Sequence, residues 1–426
     1  MSDHRRYMKC AIPMILFLLL VYLAVSQPEA VKAIPVSPPG RDIRVGTDVK
    51  TIREAIKLAQ PGDTIHLQPI VYHDTAIFQN KKGEPGRPIT LEGHGATLDG
   101  SDPLDLAKWK EVSPGIFAND ELLPPSSLND AAIMRWFFLW NGKMNHMGRT
   151  SKGFKAPFKK AEDLQSGEWT FVRDPSREKP GSSQICGTFF VKLPPGQKLA
   201  DANIAAPVRL NGVQLGGDNA HLVIKNITAT HPHNDGFNIH GNCRDVLFEN
   251  IRAIECGDDG ISSHESAECR VDGFVSISNS TGITDILSAH TSYNHVFIAD
   301  CLAYDLFFLN NGRYQVENTV VLSSSEHPLT IKADKGEHTE LTLDNVLILR
   351  AGKPEPVRVQ KDTKLNATRV TLESGTLIAL GEVNYKNCLI NGKPMPEGTS
   401  ATGADRVKLI KELVPAEYQK RFSQLK

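Results

Sequence analysis

The chain reads as an all-β protein wound into a parallel β-helix, a solenoid of stacked coils, on three observations. Short apolar segments recur about every 22 residues between positions 221 and 336. Further short strands with two-residue alternation lie between them. Asn or Asp then follows near a turn, as at Asn226, Asn250 and Asp300. A repeat of this length with several strands is the mark of a stacked coil. A β-sandwich would repeat every 8–12 residues or so and give no reason for a longer register.

The lead residues of the five segments are Phe237, Ile261, Ile283, Phe307 and Leu329, at spacings of 24, 22, 24 and 22. Gly, Asn and β-branched residues between them disfavour helix. Bulk composition agrees. Hydrophobic residues make up 40% of the 426, which excludes a disordered tail, a collagen-like fibre or a coiled coil. With 48 Lys and Arg against 49 Asp and Glu, the net charge is −1, and a strongly basic nucleic-acid binder is excluded.

The elements follow in chain order. Residues 1–26 form a secretory signal: Arg5, Arg6 and Lys9 precede an apolar run from Ala11 to Val25, and Ala24-Val25-Ser26 offers small residues for cleavage after Ser26. The run falls short of the roughly 20 residues that span a bilayer. An uncleaved anchor is the alternative. Either way the body lies outside the cytoplasm, secreted or periplasmic. Cys186, Cys243, Cys256, Cys269, Cys301 and Cys388 then remain. Disulfides are permitted there, buried thiols are equally open, and no ligand spacing argues for zinc.

Residues 27–100 hold a cap and the first coils. Thr51-Ile52-Arg53-Glu54 is a capping box, and Val49, Ile52, Ile56 and Ala59 fall on one helical face. Pro61-Gly62-Asp63 ends the helix, and strands follow at Thr64–Leu67 and Ile89–Leu91. Such a helix covers the open end of the stack. From Thr51 to Gly100 the sequence resembles the opening of pectate-lyase-superfamily right-handed β-helix proteins. The likeness runs through Pro61-Gly62-Asp63-Thr64-Ile65, Tyr72, Pro88-Ile89 and Leu98-Asp99-Gly100, with Ile70 where a Gly is usual. It implies a right-handed coil and extracellular glycan handling.

Residues 101–206 break the rhythm and hold all four tryptophans, Trp109, Trp136, Trp140 and Trp169. Trp136 to Trp140 followed by Asn141-Gly142 predicts a hairpin. This is a β-rich insertion whose tryptophans either form its own core or stack on sugars. Residues 207–395 are the main β-helix, less regular after Leu341. In 396–426, Val407, Ile410, Val414, Phe422 and Leu425, with Pro415 between, predict two short helices that close the far end or lie on its side.

The chemistry concentrates in an acidic cluster. His233-Asn234-Asp235-Gly236 precedes one aligned strand and Cys256-Gly257-Asp258-Asp259-Gly260 the next. Asp235 and Asp259 therefore take equivalent places on coils about 4.8 Å apart. With Phe237 and Ile239 inside, His240 and His264 point out beside the acids, and Asn310 and Lys332 continue the His264 column. Crowded carboxylates cannot all ionise, so one becomes an acid and another a base, which is what glycosidic cleavage needs. A plain turn is the competing reading, because Gly accepts positive φ and Asp bonds its own backbone.

The arrangement resembles that of polygalacturonases, inverting hydrolases on this fold. Asn234-Asp235 lacks one intervening residue of their pattern, Gly257-Asp258-Asp259 matches, and Gly-His-Gly is absent. The resemblance implies Asp259 or Asp258 as acid, with Asp235 and the remaining Asp activating water. The expected catalytic residues are thus Asp235, Asp258, Asp259 and His264, and the expected substrate contacts His233, His240, Asn310, Arg313 and Lys332. No metal or cofactor is expected for hydrolysis. The first alternative is a polysaccharide lyase, with Ca²⁺ on the three aspartates and Lys332 or Arg313 as base. The second is a non-catalytic carbohydrate-binding surface protein. The expected partner is a polysaccharide, with no nucleic acid, no membrane after signal cleavage, and a monomeric state.

Overall fold

A computed structural model describes residues 39–123, 128–350, 356–373 and 375–424. The expected signal lies outside the described residues. The rest is a parallel β-helix. A nine-stranded sheet runs in the order Ala76–Gln79, Val213–Gly216, Phe237–Ile239, Asp259–Ser263, Thr281–Asp285, Tyr304–Leu309, His327–Lys332, Val357–Val359 and Leu377–Ala379. Its neighbours pair in parallel. A second sheet of fourteen strands forms the other walls. Between the walls lies one apolar core, in which Phe237, Ile261, Ile283, Leu306 and Leu329 stack as a ladder.

That ladder corrects one expectation. Ile283 pairs with Leu306, and Phe307 pairs with Thr284. Leu306 and Phe308 are buried while Phe307 is partly exposed. The run Leu306-Phe307-Phe308-Leu309 has no alternation of its own, and a slip of one residue exchanges the inner and outer faces. Phe307 therefore points out, and Leu309, not Asn310, continues the His264 column ahead of Lys332.

The long strands of the second sheet bend at residues in the left-handed region. Asn226 has φ 57° and Asn250 φ 48°, conformations that Asn tolerates better than most residues. The Asn250 side-chain amide donates to Asn226 Oδ1 at 2.8 Å, so the bends stack as well.

The helix Ile52–Leu58 carries both bonds of the Thr51–Glu54 capping box and buries Ile52, Ala55 and Ile56 against the first coils. Two sheets of four strands form the insertion. They enclose a separate core around Trp136, Phe138, Trp169 and Phe189, to which Trp109 also belongs. Trp140 is half-buried at its edge, so the tryptophans serve packing and not sugar stacking. The expected hairpin is present, with Trp140 opposite Lys143 across Asn141-Gly142. The C-terminal helices Arg406–Leu413 and Ala416–Gln424 lie on the side of the solenoid against Phe297, Leu322 and Leu349. The six cysteines from Cys186 to Cys388 are free thiols. No helix among the described residues is long and apolar enough to cross a membrane.

Candidate active site

The site forms where the strands Phe237–Ile239 and Asp259–Ser263 begin. Gly236 and Gly260 follow the aspartates in the chain, and their role differs from the positive-φ turn of the competing reading. A Cβ on Gly236 would lie 2.8 Å from the Gly260 carbonyl oxygen, and one on Gly260 would lie 2.7 Å from that of Gly282. Neither glycine needs positive φ. Close stacking of coils excludes a side chain there. It fixes Asp235 and Asp259 at matching heights, and Gly236 N–H donates to Asp259 O at 2.9 Å.

The carboxylates of Asp235, Asp258 and Asp259 come within 4.8 Å of one another, and all three residues are buried. Asp235 accepts from Asn238 Nδ2 (2.6 Å), Ser262 Oγ (2.8 Å) and the Asp259 amide (3.1 Å). Asp258 and Asp259 are held by the insertion. Lys152 Nζ lies 2.7 Å from Asp258 Oδ1 and 2.5 Å from Asp259 Oδ1. Ser151 Oγ donates to Asp258 as well, and Arg135 reaches its other oxygen at 3.5 Å. Just before this loop, the Arg149 guanidinium sits 4.2 Å from the Phe158 ring centre and 4.4 Å from that of Trp169. That clamp ties the loop to the insertion core. Gly153 meets the coil: a Cβ there would lie 2.8 Å from Ala303 Cβ.

These surroundings separate the three acids. Burial raises each, but Lys152 and Arg135 hold Asp258 below the usual carboxylate range. Burial and the charge of Asp258 push Asp259 well above it, against the pull of Lys152. Asp235 is raised too, by burial and then by Asp258. Three carboxylates thus face two cations, and one bound proton would balance the cluster. Lys152 is kept cationic by the aspartates despite its burial.

The acids open onto a cleft of ≈ 520 Å³, within the size range of small-ligand sites. His240 and His264 line it, as expected, their rings stacked 4.0 Å apart. His264 Nε2 lies 3.0 Å from Ser262 Oγ, and burial pulls the ring down to about 4, so it is neutral at pH 7. His240 pairs with Glu265 at 3.1 Å.

The remaining expected contacts lie elsewhere. His233 is buried against Trp136, ring centres 5.5 Å apart, and burial pulls it to about 3. Asn310 is a turn residue bonded to Asp334 and Glu337. Arg313 opens a strand of the other sheet. Lys332 shares the His264 column but pairs with Asp334 at 3.8 Å and does not line the cleft. The residues that sequence reasoning missed are Arg135, Ser151 and Lys152, which reach the acids from more than 100 positions away. No local pattern marks them.

The three carboxylates are also the one group among the described residues close enough to share a metal ion. The Lys152 ammonium already stands against two of them. A divalent cation at these carboxylates would compete with that ammonium.

No family model and no curated protein matches the chain. Solved structures resemble it at low identity. The complex of XylC with xylose is 13% identical over 82% of this chain and 70% of that one, with a TM-score of 0.48. Pectate lyase Pel9A is 12% identical over 85% and 82%, at 0.43. The family 28 exopolygalacturonase of Yersinia enterocolitica is 10% identical over 84% and 80%, at 0.27. By its own strand pairing the chain is a parallel β-helix.

Proposed function

We propose that the chain is a secreted or periplasmic enzyme that cleaves glycosidic bonds of a polysaccharide by acid/base hydrolysis. One observation carries the reading: three carboxylates come within 4.8 Å in an open cleft, and their surroundings lower Asp258 while raising Asp259. Asp259, pushed well above the usual carboxylate range, is the donor to the leaving glycosidic oxygen. Asp258, kept ionised, faces the charge that develops on the sugar, and Asp235 or Asp258 takes the proton of the attacking water. His264, neutral beside Ser262, orients the group around Asp235.

Elimination fits less well. Lys152 is the one lysine in the cleft, and its aspartates hold it protonated, so it is a poor base. One observation favours a non-catalytic reading: Lys152, Ser151 and Arg135 all come from the insertion, so the cluster also fastens that unit to the solenoid. Assays on a panel of plant and marine polysaccharides separate the three. Hydrolysis gives new reducing ends without an unsaturated, ultraviolet-absorbing product and is indifferent to chelator. An absorbing product would establish a lyase, and neither signal on any glycan would leave the binding role.

A further inference from the structure

We infer that the cleft takes an uncharged glycan, and that Phe307 is the platform for a sugar ring beyond the acids. The inference rests on reading the cleft as a glycan-cleaving site and names its substrate class.

Charge comes first. The cations lining the cleft are Arg135 and Lys152, and both are bonded to Asp258. Both cations of the lining already face Asp258, so a uronate carboxylate, which needs a charged partner of its own when desolvated, would have to compete for them. A polyuronate would add negative charge beside acids that Arg135 and Lys152 do no more than balance.

The two flanks of the acids are neutral and differ in kind. On the preceding coils, Asn234 Nδ2 donates to Asn211 Oδ1 at 2.8 Å and Asn211 Nδ2 to Gln214 Oε1 at 3.2 Å. This amide chain ends on the Gln214 NH₂ and the Asn234 carbonyl, a donor and an acceptor suited to hydroxyls. On the following coils the outward positions of the lining are Thr284, Ile286, Phe307 and Leu309. Phe307 is the aromatic side chain among these outward positions and is partly exposed. The ring of Phe307 leans on Tyr304, centres 4.3 Å apart, and Tyr304 stacks on His327 at 4.7 Å. These contacts support the ring on one side, and Phe307 itself lines the cleft. The C–H face of a pyranose is the apolar partner such a ring accepts, while the hydroxyl edge meets the amides.

Asp259→Asn supplies a probe for binding without turnover. The test is affinity electrophoresis of this variant at low ionic strength, in gels containing arabinoxylan, mixed-linkage β-glucan, polygalacturonate or alginate. Retardation in a neutral glycan and none in either polyuronate is expected. Adding Phe307→Ala weakens the neutral-glycan retardation about tenfold, whereas adding Lys332→Ala does not. Stronger binding to a polyuronate, no binding to any of the four, or indifference to Phe307→Ala would overturn the inference. Failure of the hydrolytic reading appears separately, as turnover that persists in Asp259→Asn.

Discussion

Among the described residues, burial raises Asp285 and Asp305 inside the solenoid as it raises Asp235 and Asp259, but only the second pair faces a cleft. Asp285 is wholly inside the solenoid, where it accepts from Thr291 Oγ1 (2.6 Å), Tyr293 Oη (3.0 Å) and the Ser263 amide (3.1 Å). Burial alone lifts it to about 6, and Asp305, bonded to Ser325 at 2.7 Å, behaves alike. Asp258 and Asp259 are as deeply set, yet neighbouring charges drive them in opposite directions. A shifted pKa is therefore no sign of chemistry by itself. What distinguishes the cleft is access, together with unlike charges arranged to separate two adjacent acids.

Lys152→Met strikes at that distinction hardest. It leaves Asp258 and its neighbours facing Arg135 alone, and breaking a buried pair in this way costs about 3–5 kcal/mol. Denaturant melts at pH 7 should show the loss. It should shrink toward pH 4 as the freed carboxylates take up protons. A loss that does not change with pH would mean that Lys152 contributes by packing.

Asp285 should affect stability through pH instead. Its folded pKa, about 6, lies above an unfolded value near 3.9. The native state then binds the proton more tightly. The stability this group contributes is full below the unfolded value and is lost as pH rises through about 6. Over that window the loss is about 3 kcal/mol. Asp285→Asn should flatten the stability profile between pH 4 and 6 by that order, even though its amide fits the three donors less well. An unchanged slope would place the titration elsewhere, with Asp305 the next candidate.

The smallest effects are expected where sequence expectation and cleft part company. Arg313→Ala, Asn310→Ala and Lys332→Ala should leave turnover unchanged in the same polysaccharide assay, since none lines the cleft. A clear loss in any of them would extend the site beyond its present edge.

Much of this was legible in the sequence because a solenoid repeats its interior. The ladder through Phe237, Ile261 and Ile283 demands an apolar residue once per coil, and the acids inherit their alignment from it. At Leu306-Phe307-Phe308-Leu309 an unbroken apolar run conceals which residue faces in. Lys152 is illegible in the sequence, because a contact spanning 106 positions between an insertion and a coil leaves no periodic trace. The position of His233 before the Asp suggests a substrate contact, while Trp136 packs against it in the fold.

The most direct test of the account sets Asp259→Asn against Asp285→Asn, measuring reducing-end release per folded molecule and thermal midpoint for each. Asn is nearly isosteric with a protonated Asp259, the form that its surroundings favour. The account expects turnover to fall about a thousandfold with the midpoint almost unmoved, while Asp285→Asn shifts the midpoint and spares turnover. If Asp259→Asn lowers the midpoint and the folded fraction still cleaves at the wild-type rate, the cluster is a fastening for the insertion, and the proposed chemistry is wrong.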